Sequence, residues 1–141
     1  MRRPARPPVL RDVRGRLRRW RRVLRHRGPQ GVRARRWTLR SLAAVRADLA
    51  RAGMSARCAA PVPALPGWSR VVVERTLREQ DATCLQRCLV LQAWFAAHGR
   101  TAEIVVAVPH AAQPEFSAHA WIRGYDRDEH DRYRELTVLR P

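Results

Sequence analysis

Two residues far apart in this chain have side chains suited to covalent chemistry, Cys84 and His119. A thiol attacks a carbonyl carbon only as the thiolate, which is a minor species at neutral pH for an ordinary thiol with a pKa of about 8.5. The first turn of a helix favours the anion, and a neighbouring imidazolium favours it further. Cys84 and His119 are therefore the candidate nucleophile and general base of a thiol-dependent enzyme.

The residues around Cys84 predict that it opens a helix. Thr83 and Gln86 have the T-x-x-Q spacing of a capping box, which makes Thr83 the N-cap and Cys84 the first helical residue. Cys88 lies one turn deeper in the apolar stripe and is interpreted as a small core residue. The apolar stripe consists of Cys84, Cys88, Leu91 and Phe95. His98 and Gly99 form the predicted C-terminal cap of this helix.

His119 lies in the second of two predicted strands. Residues 102–108 form a short apolar run that is typical of a buried strand. In residues 116–122, apolar and polar side chains alternate, so His119 and Trp121 are expected on one face and Ala120 on the other. A cysteine helix followed by such strands predicts an α+β fold, with the helix packed on a small antiparallel sheet and preceded by N-terminal helices.

An acid that orients the imidazole would complete a Cys-His-Asp set, and the candidates follow the histidine strand. Asp126, Asp128 and Asp131 belong to an acidic cluster, and their positions alone leave the choice open. The apolar segment after the cluster, at about residues 133–139, is expected to form a third strand or a short helix. His98 and His110 lie beside turn signals and are expected to face solvent.

The positive charge of the chain is confined to its first part. All 29 basic residues are Arg; residues 1–60 hold 19 of them against two Asp, whereas residues 61–141 hold 10 Arg and 10 acidic residues. The net charge of +17 therefore belongs to residues 1–60. A pI of about 11.8 is compatible with nucleic-acid binding. However, the neutral part shows no basic face interleaved with aromatic residues, so a nucleic-acid-binding function is disfavoured.

Residues 1–60 are predicted to form a basic helical region. Helical spacing of apolar residues among arginines in residues 9–25 indicates an amphipathic helix, which can contact an anionic surface, a partner or its own domain. The segment Gly-Pro-Gln-Gly at 28–31 ends it, and Thr38 then precedes a second helix that ends at Gly53. A proline-rich segment near residue 60 marks the boundary of a second domain, residues 61–141, whose first helix Ser69 is expected to cap.

The cysteine count and the hydropathy limit the compartment. Three cysteines, two of them four residues apart, disfavour a disulfide framework and favour a reduced, cytoplasmic protein. The sequence shows neither a secretory signal nor an 18-residue apolar span, so we expect a soluble or at most peripheral protein. A metal site at Cys84, Cys88 and His119 is disfavoured because structural zinc needs four ligands. No metal or other cofactor is expected.

The run CLQRCLVLQAWFAAHGRTAEIVVAV, followed by FSAHAWI, resembles the transglutaminase-like cysteine peptidases of lasso-peptide biosynthesis, the B-type proteins. The resemblance covers about residues 65 to 141. It implies a transglutaminase-like or papain-like core. It also implies a leader peptidase, which cuts the N-terminal leader from a ribosomally synthesised precursor so that a separate ATP-using cyclase can close the lasso ring.

By position, the resemblance implies that Cys84 is the nucleophile and that His119 is the general base and then the acid. In the family, the orienting Asp lies about twelve residues past the histidine, which favours Asp131. The segment after Ile122 departs from the family pattern, and a shortened hairpin there would favour Asp126 or Asp128 instead. Cys88 stands where the family commonly has Ser, a change of similar volume.

The resemblance also implies partners, namely the precursor peptide, a leader-recognition protein and the cyclase. Residues 1–60 read as two helices with no strand run, which fits a stand-alone peptidase that works with a separate recognition protein. We hypothesise that the basic helix at 9–25 helps to dock that protein, the cyclase or a leader. Two alternatives stay open: a transglutaminase-like acyltransferase or peptidase of another peptide-maturation pathway, and a catalytically inactive scaffold.

Overall fold

Helices and one small sheet make up the described part of the chain, which confirms the α+β class. The structure is a computed structural model that describes residues 8–58, 60–111, 117–126 and 132–141, and only the backbone of residues 8–27. The helices are α1 (Pro8–Ala52), α2 (Arg70–Glu79) and α3 (Cys84–Ala97), with short 3₁₀ turns at Gly53–Ser55 and Gly67–Ser69. The strands are β1 (Ile104–Pro109), β2 (His119–Ile122) and β3 (Tyr133–Leu139).

Helix α1 consists of two helical segments that meet at a kink. Gly28 has φ 51° and ψ −149°, a left-handed conformation that glycine adopts without a steric penalty. Pro29 can open the second segment because the first helical position needs no N–H donor. The predicted break is thus present, but the prediction that the second helix starts after Thr38 was wrong. Thr38 is buried inside α1, and its Oγ1 donates to the carbonyl oxygen of Ala34 over 2.8 Å.

The backbone of the basic helix at residues 9–25 is helical, as predicted, and the side chains of these residues lie outside the described part of the structure. None of the described helices is both long enough and apolar enough to cross a membrane.

The second segment of α1 contributes to the same hydrophobic core as α2 and α3. Trp37 and Val45 of α1 are almost fully buried in one cluster with Leu77 of α2 and Phe95 of α3. The guanidinium of Arg35 also forms an ion pair with Glu79 across α1 and α2, at 2.6 Å. Burial of large apolar side chains supplies most of the stabilisation of such an arrangement. The domain boundary at residue 60 stays a prediction.

Ser69 precedes α2 but does not cap it as predicted. Its backbone is already helical (φ −61°, ψ −19°), and its side chain makes no hydrogen bond to the helix start. The buried Ser69 hydroxyl instead accepts a hydrogen bond from the indole N–H of Trp94, over 3.0 Å. Helix α2 is therefore entered from the 3₁₀ turn at Gly67–Ser69, and Ser69 connects it to α3.

His98 ends α3, as predicted, but does not face solvent. Its Nδ1 and Nε2 atoms lie 2.8 and 2.9 Å from the carbonyl oxygens of Trp94 and Leu65, and its ring stacks on Trp94 with 3.8 Å between centroids. The expectation of a solvent-facing His98 was therefore wrong, because the loop before α2 folds over the end of α3. The same expectation for His110, which is exposed, was right.

The sheet has the order β2-β1-β3, and both pairs are antiparallel. The final segment is thus a strand. One face of the sheet packs on the helices through Ile104, Val106, Ala120, Ile122 and Leu139. The other face carries Val105, Ala107, Trp121 and Tyr133. Leu136 is an extra residue in β3, since Val106 pairs with Thr137 and Ala107 with Glu135, and it is 53% exposed.

Candidate active site

The start of α3 is capped as the sequence predicts. Thr83 Oγ1 accepts from the backbone N–H of Gln86 over 3.4 Å, and Gln86 Oε1 accepts from the N–H of Thr83 over 3.1 Å. The capping box does not use the N–H groups of Cys84 and Leu85. Those two donors stay at the positive end of the helix macrodipole, where an anion is favoured.

Arg46 of α1 contacts this cap from the side. Its Nε donates to Gln86 Oε1 over 3.4 Å, and its Nη2 donates to the carbonyl oxygen of Gln80 over 2.8 Å. The N-terminal helix therefore helps to hold the turn that leads into Cys84.

Cys84 lies against the start of strand β2. Its Sγ is 4.0 Å from the carbonyl oxygen of Ala118, at the distance of a weak S–H hydrogen bond. His119 is the next residue and the first of β2, where it pairs with Ala107 of β1. The thiol is partly exposed. The fold thus brings the candidate nucleophile to the strand that carries the candidate base.

The imidazole of His119 lies among aromatic rings. Its centroid is 5.9 Å from that of Trp121 and 5.4 Å from that of Tyr133 in β3, so His119 and Trp121 share a face as predicted. The thiol of Cys84 contacts the Ala118 carbonyl rather than this ring. The pairing of thiol and imidazole during catalysis therefore stays a prediction.

Of the three candidates for the third catalytic group, only Asp126 lies among the described residues. Asp128 and Asp131 lie outside the described residues. Asp126 follows the far end of β2, and its carboxylate accepts from the backbone N–H of Ile122 over 2.7 Å and from both terminal nitrogens of Arg87. Its contacts are those of a structural carboxylate, and the choice of the catalytic acid stays a prediction.

Arg87 is a residue whose role the sequence did not reveal. The structure places it against Asp126, which lies 39 residues further along the chain. Burial alone would lower the pKa of Arg87, but its hydrogen bonds and charge interactions with Asp126 outweigh burial and raise that pKa above its ordinary value. Arg46 was missed for the same reason, because no local pattern signals a contact between distant segments.

Cys88 is the core residue that the sequence predicts. It is fully buried, and burial raises the pKa of its thiol to about 12. A raised thiol pKa keeps the protonated form dominant up to high pH, so Cys88 has almost no thiolate at pH 7.5.

We therefore expect iodoacetamide at pH 7.5 to alkylate Cys84 in the folded protein and to leave Cys88 unmodified until denaturant is added. Peptide mapping by mass spectrometry measures both sites in one sample. Modification of Cys88 in the folded protein as fast as that of Cys84 would contradict the buried position of Cys88.

The sequence disfavours a metal site at Cys84, Cys88 and His119. In the ranges that the structure describes, no three or more His, Cys, Asp or Glu side chains lie close enough together to hold a metal ion.

Fold and site together define an α+β protein of the class in which a cysteine at the start of a capped helix lies against an antiparallel sheet. The profile of the Transglutaminase-like superfamily matches residues 9–140, and the chain belongs to this superfamily. Membership indicates cysteine peptidase-type or acyltransferase-type activity. No curated protein and no solved structure matches the chain.

Proposed function

We propose that this protein is a cysteine peptidase that removes the leader peptide from a ribosomally synthesised lasso-peptide precursor before macrocyclisation. The observation that carries the proposal is the position of Cys84, the first residue of a capped helix, against the Ala118–His119 strand start. The finer assignment to lasso-peptide maturation rests on the resemblance of the CLQRCL and FSAHAWI motifs to the B-type peptidases.

In the acylation step, the thiolate of Cys84 attacks the carbonyl carbon at the junction between leader and core. The N–H groups of Cys84 and Leu85, which the capping box leaves unused, are the available donors to the developing oxyanion. When the C–N bond breaks, His119 transfers a proton to the departing amine of the core peptide. The leader fragment remains attached to Cys84 as a thioester.

In the deacylation step, His119 removes a proton from water, and the resulting hydroxide attacks the thioester carbonyl. The S–C bond breaks, the leader leaves as a carboxylic acid, and Cys84 is regenerated. An acid that orients the imidazole completes this scheme, and we propose Asp131 for that role, with Asp126 and Asp128 as the alternatives. Attack by an amine in place of water would give acyl transfer from the same thioester.

The proposed partners are the precursor peptide, a separate leader-recognition protein and, in the same pathway, the lasso cyclase. The charge distribution supports a docking role for the N-terminal helix, since residues 1–60 carry 19 Arg and two Asp. Electrostatic attraction of this kind speeds the encounter of oppositely charged partners. We propose the cytoplasm as the compartment, since ribosomally made precursors are available there.

The test is mass spectrometry of a candidate precursor peptide incubated with the protein and its recognition protein. We expect cleavage at one bond, by wild type and by Cys88→Ala, and no cleavage by Cys84→Ala. Cys88→Ala is the matched control because Cys88 lies one turn along the same helix but is fully buried. In H₂¹⁸O, the released leader should carry one ¹⁸O atom in its new carboxyl group.

Two outcomes would redirect the proposal. A leader product that carries an added amine, with no ¹⁸O, would identify an acyltransferase. A precursor that stays intact with wild type, Cys84→Ala and Cys88→Ala, but still binds each of them, would identify a catalytically inactive scaffold.

A further inference from the structure

One carboxylate joins the helix of the candidate nucleophile to the strand of the candidate base. Arg87 Nη1 donates to Asp126 Oδ2 over 3.1 Å, and Arg87 Nη2 donates to Asp126 Oδ1 over 2.8 Å. Asp126 Oδ2 also accepts from the N–H of Ile122, the last residue of β2. A two-pronged guanidinium–carboxylate pair fixes orientation as well as distance.

Helix α2 holds the same turn from a second side. Glu74 accepts a hydrogen bond from the hydroxyl of Tyr125, the residue before Asp126. The Glu74 carboxylate lies 3.8 Å from Arg87 Nη2, and the guanidinium of Arg70 lies 5.2 Å above the Tyr125 ring. The turn after β2 is thus attached to both helices.

The two ends of β2 are therefore fixed to neighbouring turns of one helix. Arg87 follows Cys84 by three residues, which is about one helical turn. Ile122 follows His119 by three residues, which is roughly 10 Å of strand. The Cys84–Ala118 contact fixes one end of the strand, and the Arg87–Asp126 pair fixes the other. Together with the pairing of β2 to β1, these two contacts hold both ends of the strand against α3.

We propose that Arg87 is a positioning residue that holds His119 in register with Cys84 through Asp126. This inference rests on the proposed function. The charge of Arg87 is balanced by Asp126 and Glu74, so its contribution is geometric. A misplacement of about 1 Å at the reacting groups costs about 100-fold in rate, and the loss falls on the chemical step rather than on substrate binding.

The test compares Arg87→Met and Arg87→Lys with the wild type, and Arg123→Met is the matched control. Arg123 also follows β2, but it is 45% exposed and forms surface ion pairs with Glu103 and Glu135. The first measurement is the alkylation rate of Cys84 by iodoacetamide from pH 5 to pH 9, well below the melting temperature of each variant. The same series on His119→Ala gives the reactivity of a thiol without its imidazole partner.

We expect wild type and Arg123→Met to alkylate faster than His119→Ala at pH 6, and Arg87→Met to match His119→Ala within about two-fold. In the cleavage assay, we expect kcat of Arg87→Met to fall about 10- to 100-fold while KM changes less than about three-fold. Arg87→Lys should recover only part of kcat, because an ammonium group cannot form the two-pronged pair.

The outcomes separate this inference from the proposed function. Equal pH profiles for wild type and His119→Ala would overturn the assignment of His119 as the base, and with it the proposed function. If wild type depends on His119 and folded Arg87→Met keeps the wild-type profile and kcat, Arg87 only stabilises the fold and the inference is wrong. If Arg87→Met does not fold, Arg87→Lys, which keeps the charge but cannot form the two-pronged pair, decides the question: wild-type kcat in folded Arg87→Lys would overturn the inference.

Discussion

His119→Ala is expected to lower kcat for precursor cleavage about 10³-fold, with little change in KM. A positioned general acid–base contributes about 10² to 10⁴ in rate, and in the proposed mechanism His119 acts in both acylation and deacylation. The ring lies beside Trp121 and Tyr133 at the sheet surface, so its removal leaves the helix-facing core untouched. The measurement is initial-rate kinetics of the leader product by mass spectrometry.

The control for this prediction is His110→Ala. His110 follows β1 directly and is exposed, and we expect that variant to keep wild-type kcat. Equal losses in the two variants would show that the assay responds to general perturbation of the sheet. Wild-type kcat in His119→Ala would remove His119 from the mechanism.

Trp37→Ala is expected to lower the free energy of unfolding by about 3–5 kcal/mol, the usual cost of truncating a buried aromatic side chain. Trp37 is 1% exposed and packs in one cluster with residues of α2, α3 and the sheet. A cavity there should therefore destabilise the whole described core rather than α1 alone. Urea unfolding followed by circular dichroism gives the free energy, and hydrogen exchange of β1 amides reports on the sheet.

Met54→Ala is the matched control, since Met54 is 44% exposed and lies just after α1. Its effect should stay within about 0.5 kcal/mol. The comparison also tests the domain boundary predicted at residue 60. Protection of the β1 amides that is unchanged in Trp37→Ala would mean that the regions on either side of the boundary unfold independently.

The parts of this fold that the sequence predicted depend on short-range patterns. The T-x-x-Q spacing of Thr83 and Gln86 is enough to locate the start of α3, because a capping box is complete within four residues. The alternation around His119 likewise identified the face it shares with Trp121, since side chains in a strand alternate by geometry.

The parts that the sequence did not predict depend on partners far along the chain. The hydroxyl of Ser69 was expected to cap α2, but Trp94 of the next helix takes it as an acceptor. The imidazole of His98 reaches Leu65, 33 residues earlier. Such contacts are determined by how the helices pack, which no local spacing encodes. The second helix was expected to start after Thr38. It resumes directly after Gly28, whose left-handed conformation makes the kink, and Thr38 therefore lies inside the helix.

The extra residue in β3 bears on how this protein behaves at high concentration. An open strand edge offers unpaired N–H and C=O groups on which another chain can add a strand, and this is a common route to aggregation. In the described sheet, β3 lies at an edge. Its bulge at Leu136 interrupts the regular repeat of N–H and C=O groups between Glu135 and Thr137, and the neighbouring Arg134 and Glu135 are charged. A second molecule would therefore find only a short regular template on this edge.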